Sequence, residues 1–224
     1  MTPQSPSSAP PSSTPPPSAA ERAYEALRTR ILDGELEPGT MLGETPLAAE
    51  LAMSRTPVRS ALTRLQDEGW VTIYPKRGAL VRGLGPRAIA ELAEARVLLE
   101  TASMRRATDA ARASAAERLE ALIADQRAAL AARDLPTLVR TLQTFHRVFV
   151  EAGDSQVQLE LYARLADRHR FALSSEGEGL FALGEEALAE HTRLLETFRD
   201  GDESAFEEVL RAHVAENGAP REAT

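Results

Sequence analysis

Apolar positions set the first expectations. Tyr24, Leu27 and Ile31 recur at i, i+3 and i+7 in a run that starts near Ala19, and Gly34 followed by Pro38-Gly39 ends it, which predicts a first helix. Thr45-Pro46 reads as an N-cap followed by proline at the first helical position, with Leu47 and Leu51 four apart in a short second helix. Met53-Ser54 makes a turn. A third helix is expected over about 56–68, with Val58, Ala61, Leu62 and Leu65 on one face and Gly69 just past its end. Two short runs of β-formers follow, 70–74 and 79–82, joined by Pro75-Lys76-Arg77-Gly78, and this pattern predicts a hairpin.

Beyond Pro86 the periodicity is helical throughout. Six helices are expected, at about 86–109, 114–132, 134–151, 155–174, 185–200 and 202–217. Ser114 with Glu117 reads as a capping box, Gly153 as a helix stop and Asp202 as a cap. The glycine-rich stretch 176–184 is the one long loop in this region. The fold class is therefore mainly α: an N-terminal winged helix-turn-helix over 19–84 and a C-terminal all-α bundle over 86–217. Residues 1–18, almost entirely Pro, Ser, Thr and Ala, bury too little surface to offset ordering entropy and are expected to be a disordered tail, as are 218–224.

Composition fits this division. The 224 residues suffice for two modest domains, and 43% apolar residues with only 4% aromatics suit cores of Ala, Leu and Val packed between helices. With no Cys, disulfides, thiolate metal sites and cysteine nucleophiles are excluded, and a reducing cytoplasm is the expected location. No secretory signal and no membrane-length apolar stretch is visible. The net charge of −8 would argue against a nucleic-acid partner were it evenly spread. It is not. From Pro86 onward 17 basic residues face 25 acidic ones, whereas 54–82 carries six basic residues against Asp67 and Glu68.

That basic segment coincides with the predicted third helix and hairpin. Projected at about 100° per residue, Arg55, Thr56, Arg59, Thr63 and Gln66 share one face, away from the apolar stripe. Two forked guanidiniums four residues apart near the start of a recognition helix can meet guanine O6 and N7 in the major groove. Ser54 and Thr56 stand at the helix start, where hydroxyls and backbone N–H groups hold phosphates. Lys76 and Arg77 lie at the hairpin tip, and Gly78 permits its tight turn. A charged helix face is often only solvated surface; the helix-turn-helix spacing and adjoining basic hairpin favour DNA contact. Arg64 points away from this face, and a structural ion pair is the favoured reading.

The stretch from Ala23 to Val81, including SRTPVR at 54–59, resembles the DNA-binding domain of the GntR family of bacterial regulators. The C-terminal region resembles the helical ligand-binding domain of its FadR-like subgroup, the FCD type in its shorter, VanR-like form. That likeness rests on EARVLLE (94–100), FHRVFVEAGD (145–154), EHTRLLETFRDGD (190–202) and RAHV (211–214). The resemblance implies a homodimer on double-stranded operator DNA with a short pseudo-palindrome, Arg55 and Arg59 reading guanines, and release or retention on binding a small carboxylate effector. Where some relatives carry another basic residue in helix two, this chain has Thr45.

The same resemblance bears on His146, His191 and His213, each on a predicted bundle helix, since imidazoles suit a divalent metal ion, zinc or similar. In the resembling subgroup an Asp one turn before the first His completes the site; here that position is Leu142. Three imidazoles with water or an effector carboxylate remain a reasonable ligand set. For each His taken alone, the alternative is a buried, hydrogen-bonded side chain, and His169, with no matching motif position, is assigned to that class. Arg96, within EARVLLE, is the candidate effector-carboxylate contact, with an i,i+4 ion pair to Glu100 as the alternative.

The function expected is a sequence-specific transcriptional regulator, a repressor by family likeness, and not an enzyme or a membrane protein. A metal-dependent helical-bundle enzyme is the rival reading, weakened because neither FHRVF nor EHTRLL resembles a hydrolase motif. A ligand-independent DNA binder is disfavoured by the large acidic body.

Overall fold

The computed structural model describes residues 16–217. The tail expected over 1–18 thus lies mostly outside the described residues, and that expected over 218–224 wholly so. Ser18 itself belongs to the fold. Its hydroxyl accepts from the Glu21 N–H at 3.2 Å while the Glu21 carboxylate accepts from the Ser18 N–H at 2.7 Å, a capping box that starts α1 (Ala19–Leu32).

The N-terminal domain continues through β1 (Met41–Leu42), α2 (Glu44–Glu50), α3 (Arg55–Asp67), β2 (Val71–Tyr74) and β3 (Gly78–Val81). The sheet runs β1-β3-β2, antiparallel, with Met41 opposite Leu80 and Tyr74 opposite Gly78. Strand β1 was not expected, because two residues cannot display alternation. The cap expected at Thr45 is corrected: α2 begins at Glu44 with Gly43 in the N-cap position. Leu27 and Ile31 of α1, Val58, Leu62 and Leu65 of α3, Trp70 just before β2 and Val81 of β3 close one buried core.

At the wing tip, Arg77 N–H donates to the Tyr74 carbonyl at 3.0 Å and Lys76 takes φ 64°, the type II pattern of proline second and left-handed residue third. Gly78 follows with φ 118°, and a Cβ there would run into the Leu42 carbonyl oxygen. Only glycine lets β1 and β3 approach at this point.

The C-terminal domain contains α4 (Pro86–Arg106), α5 (Asp109–Ala132), α6 (Leu135–Ala152), α7 (Gln156–Glu176), α8 (Gly179–Ala182), α9 (Gly184–Asp200) and α10 (Glu203–Asn217). Two expectations are corrected here. The first bundle helix stops at Arg106, and the next starts at Asp109, capped by the Thr108 hydroxyl accepting from the Ala111 N–H at 3.2 Å. Ser114 and Glu117 therefore lie inside a helix rather than at its start. The expected loop over 176–184 holds the four-residue α8. Phe145, Phe149, Phe198 and Phe206 centre the second core, with Phe149 4.9 Å from Phe198 and 5.0 Å from Phe206 in edge-on geometry.

Helix α7 packs on both domains. Phe171 is buried among the N-terminal residues and meets Trp70 edge to face at 5.8 Å. Arg168 stacks 4.4 Å over Trp70 and donates to the Glu68 carbonyl at 2.7 Å, while Asp167 pairs with Arg28 and Arg170 with Asp33. Its other side packs antiparallel on α4, aligned by Ser103 with Gln158, Tyr162 with Glu100 and His169 with Arg96. Phe171→Ala should destabilise the protein by about 3–5 kcal/mol, the usual loss for a fully buried phenyl ring. Denaturant melts followed through Trp70 fluorescence would measure it; a loss under about 1 kcal/mol would show that Phe171 does not plug the N-terminal core.

Candidate functional site

Two sites emerge, one on each domain. On the first, Ser54, Arg55, Thr56, Arg59 and Thr63 of α3 are all exposed, as are Lys76 and Arg77 at the wing tip. Arg55, Arg59, Thr63, Lys76, Arg77 and Gly78 line one cleft between α3 and the wing. Ser54 occupies the N-cap position of α3 with no side-chain cap hydrogen bond. The Thr63 hydroxyl is turned back onto the Arg59 carbonyl at 3.0 Å. Gln66, expected on the same face, is engaged elsewhere: its side-chain oxygen accepts from the Ile73 N–H at 2.8 Å and ties α3 to the wing. Arg64 lies 3.6 Å over the Tyr24 ring and pairs with Glu68 at 3.2 Å.

Sequence reading missed Glu44. Its carboxylate, at the start of α2, accepts from Arg59 Nε at 2.8 Å, Arg59 Nη2 at 2.7 Å and Arg55 Nη2 at 3.0 Å. These hydrogen bonds, Arg59 first, hold the Glu44 carboxyl at about 2, so it stays ionised at any working pH. One anion thus gathers both guanidiniums, eleven and fifteen residues away in the chain.

The second site lies inside the bundle. His146 of α6, His191 of α9 and His213 of α10 are buried, and one ring nitrogen from each falls within 4.8 Å of the others. Every Nδ1 is tied off. His146 Nδ1 meets Glu100 Oε2 at 2.9 Å, His213 Nδ1 meets Glu190 Oε2 at 2.7 Å, and His191 Nδ1 meets Gln126 Oε1 at 2.8 Å. The Gln126 amide is oriented in turn, its Nε2 donating to the Thr141 carbonyl at 3.3 Å. Where Nδ1 donates to these partners, the Nε2 lone pair of each ring turns inward. His146 Nε2 and His213 Nε2 lie 3.1 Å apart, and His191 Nε2 is buried with no hydrogen-bond partner.

Electrostatics hold these imidazoles neutral. Burial first, and then the charge of Arg96, hold His146 well below the usual imidazole range; burial, then neighbouring His213 and Arg96, does the same for His191. Burial lowers His213 against the pull of Glu190. Glu100, buried completely, is pushed up to about 7 by desolvation, with Arg96 opposing. Arg96 resolves its two readings into one arrangement: Nε donates to Glu100 at 3.1 Å, Nη1 meets His169 Nε2 at 3.1 Å, and Nη2 is buried without a partner.

Arg96, the three imidazoles and His169 line one cavity together with Leu142. His169, assigned from sequence to the ordinary buried class, thus stands in the site as the partner of Arg96. Its neighbours in sequence, Arg168 and Arg170, face the other domain, and no motif marked it. Glu100 lay inside a motif that was read, but the acceptor roles of Gln126 and Glu190 require contacts 65 and 23 residues apart that spacing does not disclose.

Residues 19–81 match the family of bacterial regulatory proteins of the gntR type, and residues 91–216 match the FCD domain. The chain belongs to the GntR family and carries an FCD domain. An HTH-type transcriptional regulator from the TAR-I ttuE-ttuC' intergenic region of Agrobacterium vitis is 37% identical over 132 residues, spanning 57% of this chain and 77% of the relative. The HTH-type transcriptional repressor RspR of Escherichia coli K12 is 26% identical over 199 residues, 88% of this chain and 86% of that one. A GntR regulator of Rhodococcus sp. RHA1 shares the fold at a TM-score of 0.75 and 21% identity, covering 89% of this chain and 95% of that one.

The protein is accordingly a DNA-binding transcriptional regulator and not an enzyme, with operator DNA as the partner of its N-terminal domain and a small-molecule effector as that of its FCD domain. Among the described residues no helix is long and apolar enough to cross a membrane.

Glu44→Gln removes the anion that gathers Arg55 and Arg59. Affinity for random-sequence duplex should rise roughly two- to fivefold, the worth of one exposed charge interaction, and the ratio of operator to random binding should fall. Fluorescence anisotropy at fixed salt measures both, and unchanged random binding would show that Glu44 does not compete with DNA.

Proposed function

We propose that this regulator acts as a cytoplasmic homodimer, a repressor that reads its operator with Arg55 and Arg59 and releases it when a carboxylate effector binds beside a divalent metal ion. In this reading the two guanidiniums meet guanines in the major groove, Thr63 lies against a base edge, and Ser54 and Thr56 hold phosphate at the N-terminus of α3. Lys76 and Arg77 contact the backbone from the wing, whose close packing Gly78 allows.

One observation carries the metal assignment: three neutral imidazoles, each with Nδ1 committed to an acceptor, converge on one point within the protein. His146 Nε2 and His213 Nε2 lie 3.1 Å apart, a separation that two nitrogens bound to one zinc-sized cation can adopt. The donor set fits zinc or a similar ion, with His146, His191 and His213 holding it and no anionic protein ligand, since Leu142 stands one turn before His146. When bound, such an ion supplies a Lewis-acidic anchor for an effector oxygen. Arg96, aiming Nη2 into the same cavity, supplies the second anchor.

Helix α7 gives the effector a route to the DNA. His169 faces Arg96 while Phe171 and Arg168 are seated in the DNA-binding domain. A ligand that draws Arg96 toward itself alters the His169 contact, and a helix anchored at both sides moves as one body.

The homodimer is supported by an apolar patch. Leu98 of α4 is 67% exposed, and Val157 and Leu161, one turn apart on α7, are 67% and 53% exposed. Val157 and Leu161, four residues apart on one side of α7, suit a self-complementary contact.

Purified protein should carry one divalent ion per chain by elemental analysis. Restoring zinc to chelator-treated protein should stabilise it by about 2.7 kcal/mol at a hundredfold excess over Kd. His191→Ala should abolish uptake; chelated protein that ignores every divalent ion would leave the imidazoles a purely structural cluster. Separately, Leu161→Glu should shift the protein from dimer to monomer in sedimentation equilibrium, and a dimer that persists would remove this face from the interface.

A further inference from the structure

The cavity beside the imidazoles is unusually simple in its chemistry. Apart from the three imidazoles and His169, its polar lining is Arg96 and Gln126. Gln126 is fully engaged, its oxygen by His191 and its nitrogen by the Thr141 carbonyl, and Arg96 has one unengaged nitrogen, Nη2. All else is apolar: seven leucines drawn from α5, α6, α7, α9 and the α8 segment, with Ala187 and Gly184. The enclosed space is small, ≈ 40 Å³, so a four-carbon tail enters only as the lining leucine side chains give way. Leu142, one turn before His146, lines the same cavity with a hydrocarbon side chain.

We infer that the effector is a compact monocarboxylate with an unsubstituted hydrocarbon tail, and that Leu142 selects it. This rests on the reading of the cavity as the effector site. The carboxylate has one place to go, the end where Arg96 Nη2 and the imidazoles converge. A second carboxylate would lie among leucines as an unpaired buried charge. A hydroxyl on the tail would lose its water and find no partner, for about a tenfold or larger loss of affinity. Each methylene that enters the leucine box instead gains about fourfold, until the space is full. Sugar acids and dicarboxylates are thereby excluded, and short aliphatic acids are favoured.

Three four-carbon acids, with acetate as the short reference, isolate the tail chemistry. Zinc-loaded and chelator-treated full-length protein would be titrated calorimetrically with acetate, butyrate, 3-hydroxybutyrate and succinate. Butyrate should bind the loaded protein about tenfold or more tightly than acetate, and tenfold or more tightly than either substituted acid. Leu142→Asp should keep or strengthen zinc uptake, which also reports that the variant is folded, and should lose butyrate binding. Succinate or 3-hydroxybutyrate equalling butyrate would overturn the inference while leaving the metal reading intact. Butyrate preferred by a protein that takes up no zinc would overturn the metal reading and keep the inference. Loaded protein that binds none of the four, or Leu142→Asp that binds butyrate as the parent does, would overturn the inference.

Discussion

Everything in this molecule hangs on the two-sidedness of α7. At about 100° per residue, Tyr162, His169 and Leu173 form one stripe, and Phe171 lies about 180° from Tyr162. The stripe faces the bundle, where Tyr162 donates to Glu100 and His169 meets Arg96. The opposite side carries the ring that completes the core of the other domain. The two cores are therefore not two independent units joined by the short link at 82–85. They share a rigid element whose position satisfies both.

That constraint explains why the charged groups around α7 are arranged as they are. Glu100 accepts from Arg96, Tyr162 and, at its other oxygen, His146 Nδ1, so three helices converge on one buried carboxylate. Burial alone would neutralise it, and its rise to about 7 expresses that tension; Arg96 opposes the rise. An unpaired buried charge is expensive, so a change that draws Arg96 away from Glu100 disturbs the carboxylate, the imidazole behind it and the tyrosine on α7 together. The site is a network, and its members move in concert.

Much of this was legible in the sequence, and the reason differs between its parts. The helix-turn-helix and wing show themselves through local spacing: Val58, Ala61, Leu62 and Leu65 mark the buried face of α3, and Pro75 with Gly78 marks the hairpin. Arg55, Arg59, His146, His191, His213 and Arg96 lay in motifs that resemblance made visible, and the structure brings the three imidazoles together. What sequence could not disclose were partners set by tertiary packing. Glu44 lies in a short helix where an acidic first residue is ordinary, and nothing local says that it gathers two arginines. Gln126 looks like a polar residue on a long helix. His169 looks like one of a basic trio until the two faces of α7 are separated. The misplaced cap at Ser114 has a similar origin: the Ser-to-Glu spacing was present, but Thr108, six residues earlier, already satisfied the helix start.

If Arg55 and Arg59 read the operator as proposed, their contact with Glu44 sets the terms on which the DNA-binding face works. Exposed guanidiniums without a local partner would attach to any phosphate, since counterion release rewards every such contact regardless of sequence. A carboxylate that binds both forks imposes a threshold: DNA must offer something better than Glu44 before either arginine leaves. A lone phosphate offers a comparable charge-assisted hydrogen bond and little advantage, whereas a guanine edge in register offers a bidentate pair together with the backbone contacts that come with correct docking. The same anion also keeps the forks near one another and limits the rotamer freedom they lose on binding. In that reading, specificity comes as much from what the free protein already satisfies as from what the operator supplies.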